Sequence, residues 1–184
     1  MNRKAKATVF LALLGILTML PGNGQAQTNS NAVSVTLNAV VAQYIGITVS
    51  APAVNFNLVP GTGPTAGAPV LTMTTTWSLT GGPTMSLWGS FANAATALAD
   101  GGGNNIPSSN VLGSVNGGGA AAFTGTGPFG GAGAGLQIYS QVITAPTATG
   151  TRNDTLALSI NLTTQPGLPS GAYTGTLSLQ AQAI

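Results

Sequence analysis

The run Val33-Ser34-Val35-Thr36-Leu37-Asn38-Ala39-Val40-Val41-Ala42-Gln43-Tyr44-Ile45-Gly46-Ile47-Thr48-Val49 alternates with a period of two. Its odd positions read Val33, Val35, Leu37, Ala39, Val41, Gln43, Ile45, Ile47 and Val49, and the residues between them are mostly small or polar. Successive side chains of a strand point to opposite faces, so the pattern sets one apolar face against a core and one toward solvent. The run is longer than a usual strand of about 3–10 residues. Either a bend between Asn38 and Gln43 divides two strands, or the two halves pair with different partners.

The same period recurs downstream. Leu71, Met73, Trp77 and Leu79 alternate with Thr72, Thr74, Thr76 and Ser78, and Met85, Leu87 and Phe91 follow the turn signal Gly81-Gly82-Pro83. A hairpin is expected there. Val54, Phe56 and Leu58 read as a short strand, as do Leu136, Ile138 and Val142. Leu156, Leu158, Ile160 and Leu162 form another, and Tyr173, Leu177 and Leu179 close the chain. Roughly seven to nine strands separated by Pro/Gly turns predict an all-β antiparallel sandwich or barrel. Ala92–Ala99 is the one helical candidate, and it is short for an independent helix.

Upstream, Arg3, Lys4 and Lys6 precede an apolar stretch from Ala7 to Leu20, a Pro21-Gly22 breaker and the small residues Gly24 and Ala26. That order is a secretory signal peptide over 1–26. Fourteen apolar residues reach only about 21 Å as a helix, short of the ~30 Å hydrocarbon core. Removing 26 of 184 residues leaves one domain of 158, residues 27–184, with a glycine-rich insertion at about 100–135. Processing also removes three of the four basic residues, leaving Arg152 against Asp100 and Asp154. The apparently basic protein becomes nearly neutral, which argues against nucleic acid as a partner, since that needs clustered Lys and Arg. No later apolar run is long enough for a membrane span, so the expected location is extracellular, cell-surface or periplasmic.

Missing residue types narrow the chemistry. The processed chain has no His, Cys, Glu or Lys. Ser/His/Asp and Cys/His catalysis need an imidazole, and zinc needs Cys or His. Asp100 and Asp154 are the only acids, and nothing in their spacing joins them as a glycosidase pair. Asp100 with Asn104 and Asn105 supplies too little charge for calcium. The expectation is a non-enzymatic protein with no catalytic residue, metal or cofactor, whose fold closes without disulfides.

Residues 101–135 contain thirteen glycines, and glycine at that density raises the entropy cost of ordering. The segment reads as a mobile loop or a binding loop, with short strands around Val111–Val115 and Ala121–Phe123. Trp77 shares parity with Leu71 and Leu79 and is assigned to the core. Trp88 falls opposite Leu87, and Tyr139 opposite Ile138, so both are candidate outward-facing rings for glycan contact.

Soluble β-proteins commonly guard sheet edges with Lys and other charges, and a near-neutral surface favours association. This chain has no such guards, which suits a subunit that packs with copies of itself or with other surface subunits. Val33, Val35, Leu37, Ala39 and Val41 are the candidate donor strand, able to add to a neighbour's sheet; the alternative is the first strand of their own domain. The ending Leu168-Pro169-Ser170-Gly171-Ala172-Tyr173-Thr174-Gly175-Thr176-Leu177-Ser178-Leu179 resembles the closing strand of pilin-like and spore-coat-U-like bacterial domains, in which a Pro-x-Gly-x-Tyr turn precedes alternating residues. The resemblance implies an Ig-like β-sandwich and self-assembly at the cell surface. Two functions are therefore expected: an exported structural subunit of a filament or coat, or a monomeric adhesin or glycan-binding module.

Overall fold

The computed structural model describes residues 30–184, so the expected signal peptide lies outside the described residues. The chain divides into two units, the first ending at Val40 and the second spanning Val41–Ile184. Residues 30–40 of the first unit carry no helix or strand. There Val33 is 87%, Val35 77% and Leu37 90% exposed.

The second unit is all-β and antiparallel. Its strands are β1 (Tyr44–Val49), β2 (Thr65–Ala66), β3 (Leu71–Ser78), β4 (Thr84–Ser90), β5 (Leu98–Ala99), β6 (Asn105–Ile106), β7 (Val111–Val115), β8 (Ala120–Ala122), β9 (Gly135–Val142), β10 (Thr149–Ile160) and β11 (Ser178–Ala183). Only eight exceed two residues, in keeping with the strand count expected from periodicity. One sheet runs β1-β3-β10-β7-β8, with β2 added to the end of β10, and a second runs β11-β4-β9. Strands β5 and β6 form a separate pair. Among the described residues no helix is long and apolar enough to cross a membrane.

The core lies between the inner faces of the two main sheets. Leu71, Met73 and Trp77 of β3 and Leu156, Leu158 and Ile160 of β10 face Met85 and Leu87 of β4 and Ile138 of β9, all buried. Phe123, fully buried, packs edge-on against Phe91 with ring centroids 5.2 Å apart. That geometry suits aromatic quadrupoles. Trp77 is in the core as expected, its indole N–H donating to the Thr147 carbonyl at 2.9 Å.

Four local expectations are corrected. Gly81-Gly82-Pro83 does not close a hairpin, because β3 and β4 belong to different sheets. The turn, with Gly82 at φ 124°, carries the chain from one layer to the other. Period two gives each strand an apolar face but does not say whether two such faces pair edgewise or stack. Around Val54, Phe56 and Leu58 only Asn55 makes an isolated bridge, to Ala68. The Ala92–Ala99 stretch is bends leading into β5. The long N-terminal alternation yields a strand only from Tyr44.

The glycine-rich segment is built into the fold. It holds β6, β7 and β8, and its last part crosses the outer face of β4. A Cβ on Gly127 would sit 2.6 Å from the Trp88 ring, and one on Gly130, at φ 75°, would sit 2.7 Å from Ser90 Cβ. Glycine is needed at these two positions because the strap lies directly on the strand beneath it.

Candidate functional site

A groove of about 880 Å³, lined mostly by apolar side chains and by main chain outside the ladders, opens where the two edge strands leave their ladders. One wall is the continuation of β1, Ala51–Leu58, and the other is the approach to β11, Leu168–Leu177. Leu71, Leu158 and Ile160 of the larger sheet lie at its base, with Phe91 and Leu179 from the other side. Its size matches ligand clefts of about 300–1,000 Å³. Both walls run outside the strand ladders, apart from single bridges at Asn55 and Thr174. Tyr173, in the resemblance segment, donates its hydroxyl to the Pro169 carbonyl at 3.0 Å and fixes the turn in the second wall.

Strands β1 and β11 approach each other and close one side of the sandwich. Each is an edge of its sheet, and neither Tyr-Ile-Gly-Ile-Thr-Val nor Ser-Leu-Gln-Ala-Gln-Ala contains a charge or a proline. These are the common devices that keep edges from pairing with another chain. Of the candidate donor residues, Val33, Val35, Leu37 and Val41 are described as exposed large apolar side chains, and Ala39 is exposed as well.

Two of the three charged residues among the described residues, Arg152 and Asp154, pair on the inner face of β10. Asp154 on β10 is 1% exposed and receives Arg152 Nε at 2.8 Å and Arg152 NH2 at 2.7 Å. Asn116 Nδ2 donates to the same carboxylate at 2.7 Å, while Asn116 Oδ1 accepts the Thr155 N–H at 2.8 Å. Asn116 holds φ at 50° in the turn after β7, a conformation that Asn tolerates better than most residues. Burial pushes the Asp154 carboxyl up, but hydrogen bonds from Arg152 and Asn116 and the Arg152 charge outweigh it, leaving the group below its ordinary value. The Arg152 guanidinium in turn covers the Tyr139 ring. The cluster is a satisfied structural pin.

Tyr139 therefore faces inward, against its strand parity. Leu87 pairs with Tyr139 and Trp88 with Gln137, so Ile138 is an extra residue in β9. A bulge of this kind lets neighbouring side chains share a face. Ile138 and Tyr139 are both buried. The Tyr139 hydroxyl donates to Gln141 Oε1. Trp88 does keep the outer face, between Gln180 on β11 and Gln137 on β9. It is half-buried under the glycine strap.

Asp100 anchors a loop. Its Oδ1 accepts the Gly102 and Asn104 N–H groups and its Oδ2 accepts Asn104 Nδ2. The Asn104 side chain chiefly draws its carboxyl below the ordinary value. Among the described residues no group of three or more His, Cys, Asp or Glu comes together. No family model matches this chain, no curated protein matches it and no solved structure matches it. The fold defines the class, an all-β antiparallel sandwich whose edge strands β1 and β11 carry no charge.

Proposed function

We propose that the chain is an exported, non-enzymatic structural subunit of a cell-surface filament or coat, and that copies associate through their sheet edges. One conjunction carries the reading: an apolar alternating segment left exposed at Val33–Val41, in a chain whose domain has an apolar groove between two uncharged edges. A segment with period two adds to a sheet by main-chain hydrogen bonds and sets alternate side chains into apolar sites. The segment of one copy fits the groove of the next on both counts. The likeness of Leu168–Leu179 to the closing segment of pilin-like and spore-coat-U-like domains points the same way.

The glycan-module reading through Trp88 and Tyr139 has less support, because Arg152 takes up Tyr139 and the glycine strap takes up Trp88. Sedimentation and negative-stain microscopy of residues 27–184 at rising concentration test the proposal. Polymers are expected, and a chain starting at residue 42 stays monomeric. A full-length processed protein that remains monomeric at its highest soluble concentration overturns it.

A further inference from the structure

The outer face of the larger sheet is an ordered, uncharged surface. Register places Tyr44 beside Ser78 and Thr149, Gly46 beside Thr76 and Thr151, and Thr48 beside Thr74 and Asn153. Thr72 and Thr155 complete a fourth row. Strand spacing of about 4.8 Å and a same-face repeat of about 6.7 Å make these rows a regular grid of hydroxyls and one amide.

Tyr44 is the one aromatic ring on the grid. Its hydroxyl end occupies the space that a Cβ on Gly46 would fill, with Thr76 Oγ1 3.3 Å from the same point. The side chain is therefore laid along β1 over the glycine instead of standing free in solvent, and it remains 58% exposed. Holding a ring in place before a ligand arrives removes part of the ordering cost of binding. The charges near this face point away from it: Arg152 and Asp154 belong to the inner face and pair with each other.

From this arrangement we propose a binding site for a neutral glycan, with the Tyr44 ring stacking on the apolar face of a sugar. Thr48, Thr76, Thr151 and Asn153 hydrogen-bond its hydroxyls. The absence of charge on this face suits an uncharged polyol and offers nothing to a sulfated or uronic-acid polymer. An aromatic surface with a few fixed polar groups is the usual chemistry of such recognition. The site is separate from the groove and does not depend on association.

Retention of the processed protein on insoluble neutral polysaccharides tests this, with cellulose, curdlan, chitin and mannan as probes and alginate as the anionic counter-probe. Retention on at least one neutral polymer is expected, and Tyr44→Ala weakens it at least tenfold. Gly46→Ala keeps the aromatic ring but displaces it, and gives a loss of similar direction, while Trp88→Phe and the chain starting at residue 42 bind as the parent does. Unchanged thermal unfolding of Tyr44→Ala shows that the loss is local. Retention on alginate alone, no retention on any polymer, or full retention by Tyr44→Ala overturns the proposal.

Discussion

The guanidinium carbon of Arg152 lies 3.9 Å from the centroid of the Tyr139 ring, a contact made across the two sheets. Arg152 sits on β10 of one layer and Tyr139 on β9 of the other, so this pair, with Asp154 behind it, ties the layers where the core gives way to polar groups. Arg152→Ala leaves the Asp154 carboxylate buried with Asn116 as its remaining side-chain partner. Breaking such a pair costs about 3–5 kcal/mol when both partners are buried. The Arg152 side chain is 37% exposed, so the loss belongs at or below the lower end of that range, read from the urea midpoint. Arg152→Lys recovers only part of it, because an ammonium cannot reproduce the planar fork or the stacking.

The same pair contributes to the acid limit of the fold, together with Asp100, whose carboxyl the Asn104 side chain also holds below its ordinary value. Asp154 is held below its ordinary value, so its contribution is present above the unfolded value of about 3.9 and is lost as pH falls through the lower folded value. Residues 27–184 hold no His, Glu, Cys or Lys to titrate. Its unfolding midpoint is therefore expected to stay nearly flat from about pH 5 to 9 and to fall below about pH 4. Asp154→Asn lowers the plateau and flattens the acid fall, and denaturant titrations at a series of pH values check both effects.

Thr75 breaks the apolar run of β3. It is 1% exposed, and its hydroxyl has no hydrogen-bond partner among the described residues. An unsatisfied buried hydroxyl costs about 1–3 kcal/mol, so Thr75→Val, which keeps the shape, raises stability by about 1 kcal/mol. A destabilised Thr75→Val in thermal or urea unfolding contradicts this.

The glycine strap makes a contrasting pair of predictions. Gly127→Ala drives a methyl into the Trp88 ring, and overpacking of that kind costs about 1–3 kcal/mol. The displaced strap also exposes the indole and shifts tryptophan emission to the red. Gly119→Ala meets nothing within 4 Å among the described residues, and its effect lies within about 0.5 kcal/mol. Two alanine variants with equal effects count against the strap being a packed element.

Strand identity was legible wherever one face is buried and the other wet. Leu71–Leu79 and Leu156–Leu162 carry that pattern, and so does Val111–Val115 inside the glycine-rich region. Layer assignment was not, since Gly81-Gly82-Pro83 permits a hairpin or a crossover and only the packing of Met85 and Leu87 against β3 and β10 decides. The extra residue at Ile138 was invisible to parity, and it turned Tyr139 inward. Asn116 gave no signal as a partner of Asp154, because 38 residues separate them. Tyr44 and Gly46 did carry one, since residues two apart share a face of a strand and a glycine there leaves room for a ring.

Assembly through Val33–Val41 makes a sharper demand than polymer formation alone. Val35 is 77% exposed, so Val35→Asp leaves the unfolding midpoint of the monomer within about 0.5 kcal/mol of the parent, as surface changes away from special features do. In the assembly proposed above the same side chain would enter the groove, where a carboxylate loses its water without gaining a partner. Val35→Asp is therefore expected to abolish polymers, and Ser34→Asp, on the opposite face of the same segment, to retain them. Phase-two sensitivity of this kind distinguishes a strand seated in a groove from adhesion between apolar patches, which would respond to both substitutions alike. Sedimentation of the two variants at matched concentration separates these outcomes, and equal loss in both removes the seated strand from the account.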